Sequence, residues 1–183
     1  MLMVSGKAAL MVIDVQEKLL SAIHDSERLS ARIQWLISAC DTLNTPVLFT
    51  EQYPKGLGHT LPALTRLVEQ PEVVEKMHFS VVAANCLPTH WQDYSQVIVC
   101  GMETHVCVLQ TVLELVKAGK EVFVVADAVG SRSEENRQLG LDRMRDAGAH
   151  IVSREMVIFE LMQQAGTEQF KTISKQFLRG EQP

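Results

Sequence analysis

The sequence predicts an α/β fold with three layers, in which a mainly parallel sheet of six strands is covered by helices on both sides. Short runs of consecutive apolar residues, typical of strands buried on both faces, alternate with segments whose apolar residues recur at helical spacing. Glycine, proline and asparagine separate the two kinds of segment. The 183 residues, 46% of them hydrophobic, suffice for one core, so we expect a single domain over residues 1–183.

The predicted elements follow one another in a regular order. The strands are expected at 8–13, 47–50, 73–76, 97–100, 121–129 and 149–152. The helices are expected at 29–43, 62–69, 87–94, 106–118 and 133–147, with two more within 155–178 that are separated near Gly166. The helix at 133–147 is expected to direct Leu139, Met144 and Ala147 towards the core. Because strands and helices alternate, the strands should run parallel.

Composition argues against several functional classes. A net charge of −5 and an aromatic content of 5% are unlike a nucleic-acid surface, which needs a basic patch. The first apolar run ends at Asp14 after six residues, too few for a signal peptide or a membrane span. The four cysteines form no C-x-x-C pair and are typical of free thiols in a reducing compartment, so we expect a cytoplasmic protein, or a mitochondrial one in a eukaryote. Neither common phosphate-loop motif occurs, and we expect no cofactor.

Cys107 is the first candidate for chemistry. It follows a buried strand and Gly101, and it falls in the first turn of the next predicted helix. Free backbone N–H groups and the helix dipole at that position favour a thiolate, so we expect a lowered thiol pKa and a reactive cysteine. The alternative is a small apolar residue that packs the helix onto the sheet, which is the common role of a buried cysteine.

Two charged residues stand at the carboxyl ends of other predicted strands. Asp14 follows the first strand and Lys76 ends the third. In an open α/β sheet this edge is where ligands bind, so both side chains are candidates for a site. The alternatives are that Asp14 caps the following turn and that the Lys76 ammonium reaches solvent. The long polar loop 51–60 lies at the same edge and is a candidate wall of a substrate pocket.

At these residues the chain resembles the isochorismatase-like cysteine hydrolases, which include nicotinamidases and N-carbamoylsarcosine amidohydrolases. The likeness runs from about residue 7 to about residue 161. Its motifs are ALMVIDVQ, VVEKMHFS, VCGMETHVCVLQT and ADAVGSRSEENRQLGLDRMRDAGAHIVS. It implies a Rossmann-like isochorismatase-type hydrolase fold with strand order 3-2-1-4-5-6, and a homo-oligomer. Apolar residues of the C-terminal segment suggest the same association, namely Phe159, Leu161, Met162, Phe170, Ile173, Phe177 and Leu178.

The resemblance also implies a mechanism. Asp14, Lys76 and Cys107 would form a catalytic triad that cleaves the C–N bond of a small amide or carbamoyl substrate through a thioester. The backbone N–H groups of Glu103 and Cys107 would bind the oxyanion, and the Met102–Glu103 peptide bond would be cis. True isochorismatases lack the cysteine and hydrolyse a vinyl ether, which is one alternative; a catalytically silent binding or interaction protein is another. We expect the substrate pocket to include Gln16, Glu51, Tyr53, Phe79 and Thr104.

The predicted site has no metal. Nicotinamidases carry an aspartate and two histidines after the second strand, where this chain has the residues TEQYPKG, 50–56. This loop resembles that of the isochorismatase-domain-containing proteins of bacteria and eukaryotic mitochondria. Glu51 and His59 alone make a weak pair of metal ligands.

Overall fold

The computed structural model describes residues 1–179, which contain one parallel sheet of six strands in the order β3-β2-β1-β4-β5-β6. The strands are β1 (Ala8–Ile13), β2 (Val47–Gln52), β3 (Glu72–Lys76), β4 (Gln96–Met102), β5 (Glu121–Gly130) and β6 (His150–Val152). The fold class and the strand order predicted from the sequence are therefore confirmed.

Helices cover both faces of the sheet. They are α1 (Glu17–Leu20), α2 (Ser26–Thr42), α3 (Pro54–Leu57), α4 (Pro62–Thr65), α5 (Leu109–Lys117), α6 (Glu134–Asp146), α7 (Arg154–Met162) and α8 (Glu168–Ile173). A 3₁₀ turn spans Thr89–Asp93, and π-helical turns span Thr104–Val108 and Ser174–Leu178. None of the helices within residues 1–179 is both long and apolar enough to cross a membrane.

The sheet separates two hydrophobic clusters, because alternate residues of each strand point to opposite faces. Leu10 and Val12 of β1 pack into one cluster, with residues of α2 and α7. Ala9 and Met11 pack into the other, with residues of α5 and α6. All six residues of β1 are buried, as the continuous apolar pattern predicts for a central parallel strand.

The buried face of α6 differs from the prediction. Met144 is fully buried as expected, but Leu139 is 56% exposed and Ala147 is also exposed. The helix instead directs Gly140 at the backbone of the preceding π turn, where an added Cβ would lie 3.0 Å from the carbonyl oxygen of Thr104. Close approach to this turn therefore sets the rotation of α6, which a count of apolar residues does not reveal.

The C-terminal segment packs largely on its own chain. Leu161, Met162 and Ile173 are buried, and Phe177 meets Trp35 of α2 edge-to-face at a centroid distance of 5.5 Å. Of the seven apolar residues taken as a sign of association, Phe159 alone is largely exposed, at 46%. That argument for an oligomer is therefore wrong for most of the segment, because α7 and α8 complete the core on the α2 side.

Candidate active site

Asp14 stands directly after β1, at the carboxyl edge and in the middle of the sheet, and it is fully buried. Its two carboxylate oxygens accept hydrogen bonds from different elements. Thr50 Oγ1 donates to Oδ1 at 2.6 Å and Lys76 Nζ donates to Oδ2 at 2.6 Å. Cys107 lies close enough to the same carboxylate for the two groups to affect each other's pKa. Asp14 thus links β2, β3 and the start of the α5 region.

Lys76 ends the edge strand β3, yet its side chain is completely buried. Besides Asp14, its ammonium donates to Oε1 of Gln52 at 2.9 Å. Gln52 is its direct partner in the β2–β3 register, so sheet pairing fixes this contact. The Lys76 side chain does not reach solvent, and the alternative of a surface lysine is wrong.

Cys107 lies in the π-helical turn Thr104–Val108 that continues into α5, and it is 5% exposed. The chain reaches this turn through Gly101, whose φ of +117° is unfavourable for other residues. A Cβ at Gly101 would lie only 2.1 Å from the carbonyl oxygen of Ile13. This close approach of β4 to β1 brings the cysteine to Asp14.

The electrostatics of the thiol differ from the prediction. Burial raises the pKa of Cys107, and the negative charge of Asp14 raises it further, while Lys76 opposes both. The expectation of a lowered pKa is therefore wrong, because loss of solvent and a neighbouring anion outweigh the helix N-terminus. Burial also raises the pKa of the Asp14 carboxyl against the opposing effects of Lys76 and Thr50. The surroundings of the site thus favour the protonated form of both the thiol and the carboxyl group.

The turn before the helix carries the predicted oxyanion donors. The Met102–Glu103 peptide bond is cis. The N–H groups of Val106 and Val108 donate to the carbonyl of Glu103. The Glu103 side chain makes no capping hydrogen bond to the helix and pairs with Arg132, with contacts of 2.7 and 2.8 Å.

The predicted pocket residues fall into two groups. Gln16 and Glu51 are buried, and both make hydrogen bonds to the backbone of residues 52–60. Gln16 contacts the backbone of Gln52 and Gly58, and Glu51 accepts the N–H of Thr60 at 2.7 Å. Tyr53 and Phe79 are about half exposed, at 47% and 51%. Thr104 is fully buried, and its hydroxyl has no hydrogen-bond partner among residues 1–179.

The described residues contain no group of three or more histidine, cysteine, aspartate or glutamate side chains that could hold a metal ion. His59 Nδ1 lies 2.9 Å from Glu51 Oε2, but the His59 side chain is 75% exposed. This pair stabilises loop 51–60. Asp14, Lys76 and Cys107 do not line any of five surface cavities found among the described residues.

Sequence reasoning missed three residues that hold the site together, namely Thr50, Gln52 and Arg132. Thr50 and Gln52 are two positions apart on β2, so both side chains point to the same face as the Asp14–Lys76 pair. The available signal was the polar end of β2, where Thr50, Glu51 and Gln52 follow three apolar residues. Arg132 follows β5 and had no such signal, because its contact with Glu103 joins two loops.

Comparison with known proteins identifies the family. A family model described as the isochorismatase domain matches residues 8–156. The mouse isochorismatase domain-containing protein 2A is 38% identical over 169 residues, which cover 91% of this chain and 80% of that protein. The structure of MAR1 ribonuclease from Caenorhabditis elegans is 36% identical with a TM-score of 0.91, covering 100% of this chain and 95% of that one.

Two YcaC structures share the fold. YcaC from Pseudomonas aeruginosa, solved with hexane-2,5-diol and covalent acrylamide, is 25% identical with a TM-score of 0.85 and covers 97% of this chain and 92% of that one. The Escherichia coli YcaC gene product, described as an octameric hydrolase of unknown specificity, is 24% identical with the same TM-score, covering 97% and 91%. The domain match, the mouse protein and the Caenorhabditis elegans structure show that the chain belongs to the isochorismatase family, whose members are hydrolases.

Proposed function

We propose that this protein is a cysteine hydrolase that cleaves the C–N bond of a small amide or carbamoyl compound. The observation that carries the proposal is that Cys107 and Asp14 are buried together and affect each other's pKa, while Lys76 Nζ lies 2.6 Å from Oδ2 of Asp14. A nucleophile, a proton acceptor and a fixed cation are the groups that acyl transfer needs, and they meet at one point of the sheet edge.

In the first half of the proposed reaction, Cys107 transfers its proton to Asp14 and its sulfur attacks the acyl carbon. The transfer leaves the net charge of the buried site unchanged, and Lys76 stabilises the thiolate that results. Electrons from the C=O bond form an oxyanion, which the backbone N–H groups of Glu103 and Cys107 bind. The tetrahedral intermediate then collapses, the C–N bond breaks, and the amine leaves with the proton held by Asp14.

In the second half, water hydrolyses the thioester. Asp14 accepts a proton from the water as its oxygen attacks the acyl carbon, and the same two N–H groups bind the second oxyanion. Collapse of this intermediate breaks the C–S bond, and the proton returns from Asp14 to the sulfur. Base, cation and nucleophile all come from side chains, so the proposed reaction needs no cofactor.

The substrate class follows from the surroundings of the sulfur. Cys107 is 5% exposed, so the reacting group must be small where it meets the thiol. YcaC from Pseudomonas aeruginosa was solved with covalent acrylamide, which is a small molecule. Acrylamide carries an amide beside a reactive alkene, and a covalent bond to it requires a protein nucleophile.

Three other functions lead to different results in the same experiment. A vinyl-ether hydrolase would need no nucleophilic sulfur and would keep its activity without Cys107. A silent binding protein would release no product from any substrate. RNA cleavage is suggested by the name of the Caenorhabditis elegans relative, but the net charge of −5 disfavours approach of a polyanion.

The test is a panel of small amides, ureas, carbamoyl compounds, vinyl ethers and an RNA oligonucleotide, assayed for ammonia or other products. We expect ammonia from at least one C–N substrate, no product with Cys107→Ala, and an acyl adduct on Cys107 in quenched reactions analysed by mass spectrometry. Cys86→Ser, which removes a half-buried thiol outside the triad, is the matched control. Activity should survive EDTA. Full turnover by Cys107→Ala would overturn the proposal.

A further inference from the structure

We propose that Arg132 is a positioning residue that holds the Glu103 carboxylate away from the start of the Cys107 helix, so that the backbone N–H groups there stay open to the substrate oxyanion. The inference rests on the proposed function and adds a residue to its site.

Glu103 occupies the N-cap position of the helical segment that contains Cys107. A carboxylate at this position is attracted by the N–H groups of the first turn and by the helix dipole. The Glu103 side chain nevertheless makes no capping hydrogen bond to the helix. The charge of this carboxylate is instead met by a partner outside the helix.

Arg132 is that partner. Its Nε donates to Oε2 of Glu103 at 2.8 Å and its Nη2 donates to Oε1 at 2.7 Å, which is the two-pronged geometry of strong arginine–carboxylate pairs. The Glu103 side chain is 8% exposed and the Arg132 side chain is 59% exposed. The arginine therefore lies over the carboxylate from the solvent side and fixes both of its oxygens.

The chain around Arg132 is itself held in place. The neighbouring Ser131 is buried, and its hydroxyl lies 3.0 Å from Nδ1 of His105 in the π-helical turn. Residues 131 and 132 thus contact the turn at two points, one on each side of Thr104. These two contacts fix the position of the Arg132 guanidinium relative to the backbone N–H groups that are proposed to bind the oxyanion.

Removal of the guanidinium has two consequences for the site. The freed carboxylate gains the first-turn N–H groups as its best remaining donors, and there it would occupy the place of the oxyanion. Its uncompensated charge would also raise the thiol pKa, since Glu103 already acts on Cys107 in that direction. Both effects require the Glu103 carboxylate, so removal of that carboxylate should cancel them.

The test compares two reactions of Cys107 in the wild type, Arg132→Ala, Glu103→Gln and the double variant. Acylation by p-nitrophenyl acetate passes through an oxyanion, whereas alkylation by iodoacetamide does not. We expect Arg132→Ala to slow acylation by about a hundredfold, comparable with loss of one oxyanion donor. Alkylation should slow less, with a raised thiol pKa. In a Glu103→Gln background, the added Arg132→Ala substitution should slow acylation by no more than about threefold relative to Glu103→Gln alone, because a neutral amide is not drawn to the helix dipole as an anion is.

The control for a lost surface arginine is Arg145→Ala, which breaks an exposed pair with Asp142 on α6. Thermal unfolding of every variant separates positioning from stability, and Arg132→Lys should recover part of the acylation rate. Wild-type protein that forms no acetyl-Cys107 would overturn the proposed function and this inference with it. Acylation by wild type together with an undiminished rate in Arg132→Ala, or no rescue in the double variant, would overturn this inference alone.

Discussion

The thiol of Cys107 and the carboxylate of Asp14 affect each other's pKa at a place where neither residue is more than 5% exposed. The two groups therefore compete for one proton in surroundings that disfavour charge on either. The position of that proton decides whether the sulfur is a nucleophile.

Asp14→Asn should separate thiol reactivity from turnover. The substitution removes the anion that raises the Cys107 pKa and leaves Lys76 in place, so the pKa should fall and alkylation at pH 7 should be at least as fast as in wild type. Turnover of an amide should be lost, because the leaving amine has no proton donor. The pH dependence of iodoacetamide labelling, followed on the Cys107 peptide in a Cys86→Ser background, measures the first effect. A higher Cys107 pKa in Asp14→Asn than in the wild type would contradict the role of Asp14 as the anion that raises the thiol pKa.

Lys76→Met should raise the Cys107 pKa and also destabilise the fold. Removal of one partner of a fully buried ion pair typically costs about 3 to 5 kcal/mol. Burial already raises the pKa of Asp14, and without Lys76 the pKa of Asp14 in the folded protein should rise further. The loss of stability should therefore be smallest at low pH and should grow as the pH rises above the pKa of Asp14 in the unfolded chain. Urea unfolding at pH 5 and pH 8 tests this. Asp14→Leu combined with Lys76→Met should be more stable at pH 8 than Lys76→Met alone.

The pair of Glu103 with Arg132 should contribute to stability above acid pH. Hydrogen bonds from Arg132 hold the pKa of Glu103 below its usual value of 4.5. A lowered folded pKa stabilises the protein above the unfolded pKa, and this contribution is lost as the pH falls through the folded pKa. As the pH falls from 6 to 3, the melting temperature of Glu103→Gln should therefore drop less steeply than that of the wild type. Glu134→Gln, in an exposed pair on α6, is the control and should follow the wild-type curve.

The protein should associate through the surface formed by Leu2, Met156 and Phe159. These side chains are 65%, 45% and 46% exposed and line one apolar groove. Exposed apolar patches of this kind mark interfaces, and the Escherichia coli YcaC gene product, which shares the fold, is described as octameric. Sedimentation velocity should show an oligomer for wild type and a smaller species for Phe159→Asp. Leu139→Asp, at an exposed leucine on α6, should leave the wild-type species unchanged, and a monomeric wild type would contradict the prediction.

The parts of the fold that depend on local pattern could be predicted from sequence. Runs such as residues 8–13 and 97–100 are too short and too apolar for anything but central strands, and each lies in an observed strand. The strand order came from family resemblance, because apolar periodicity carries no information about which strands are neighbours. The exposed Leu139 shows the limit of the pattern, since backbone approach at Gly140 rotates the helix.

The site could be predicted only as far as its positions along the strands. Asp14 and Lys76 were recognisable because both stand at carboxyl ends. Thr50 and Gln52 depend on register, which pairs Ile13 with Thr50 and Gln52 with Lys76 and cannot be read from one strand alone. The direction of the Cys107 pKa shift was mispredicted because burial is a property of the whole packing, whereas helix position is local.

The Lys76–Asp14 ion pair should also restrain motions of the sheet. Lys76 belongs to the edge strand β3 and Asp14 follows the central strand β1, so their contact crosses β2. An edge strand is ordinarily the first to open, because it is paired on one side only. Here opening of β3 would pull the ammonium away and leave a buried carboxylate without its cation. Backbone amides of β3 should therefore resist hydrogen exchange more than their place at the edge suggests, and the proposed catalytic charge would also hold the sheet closed.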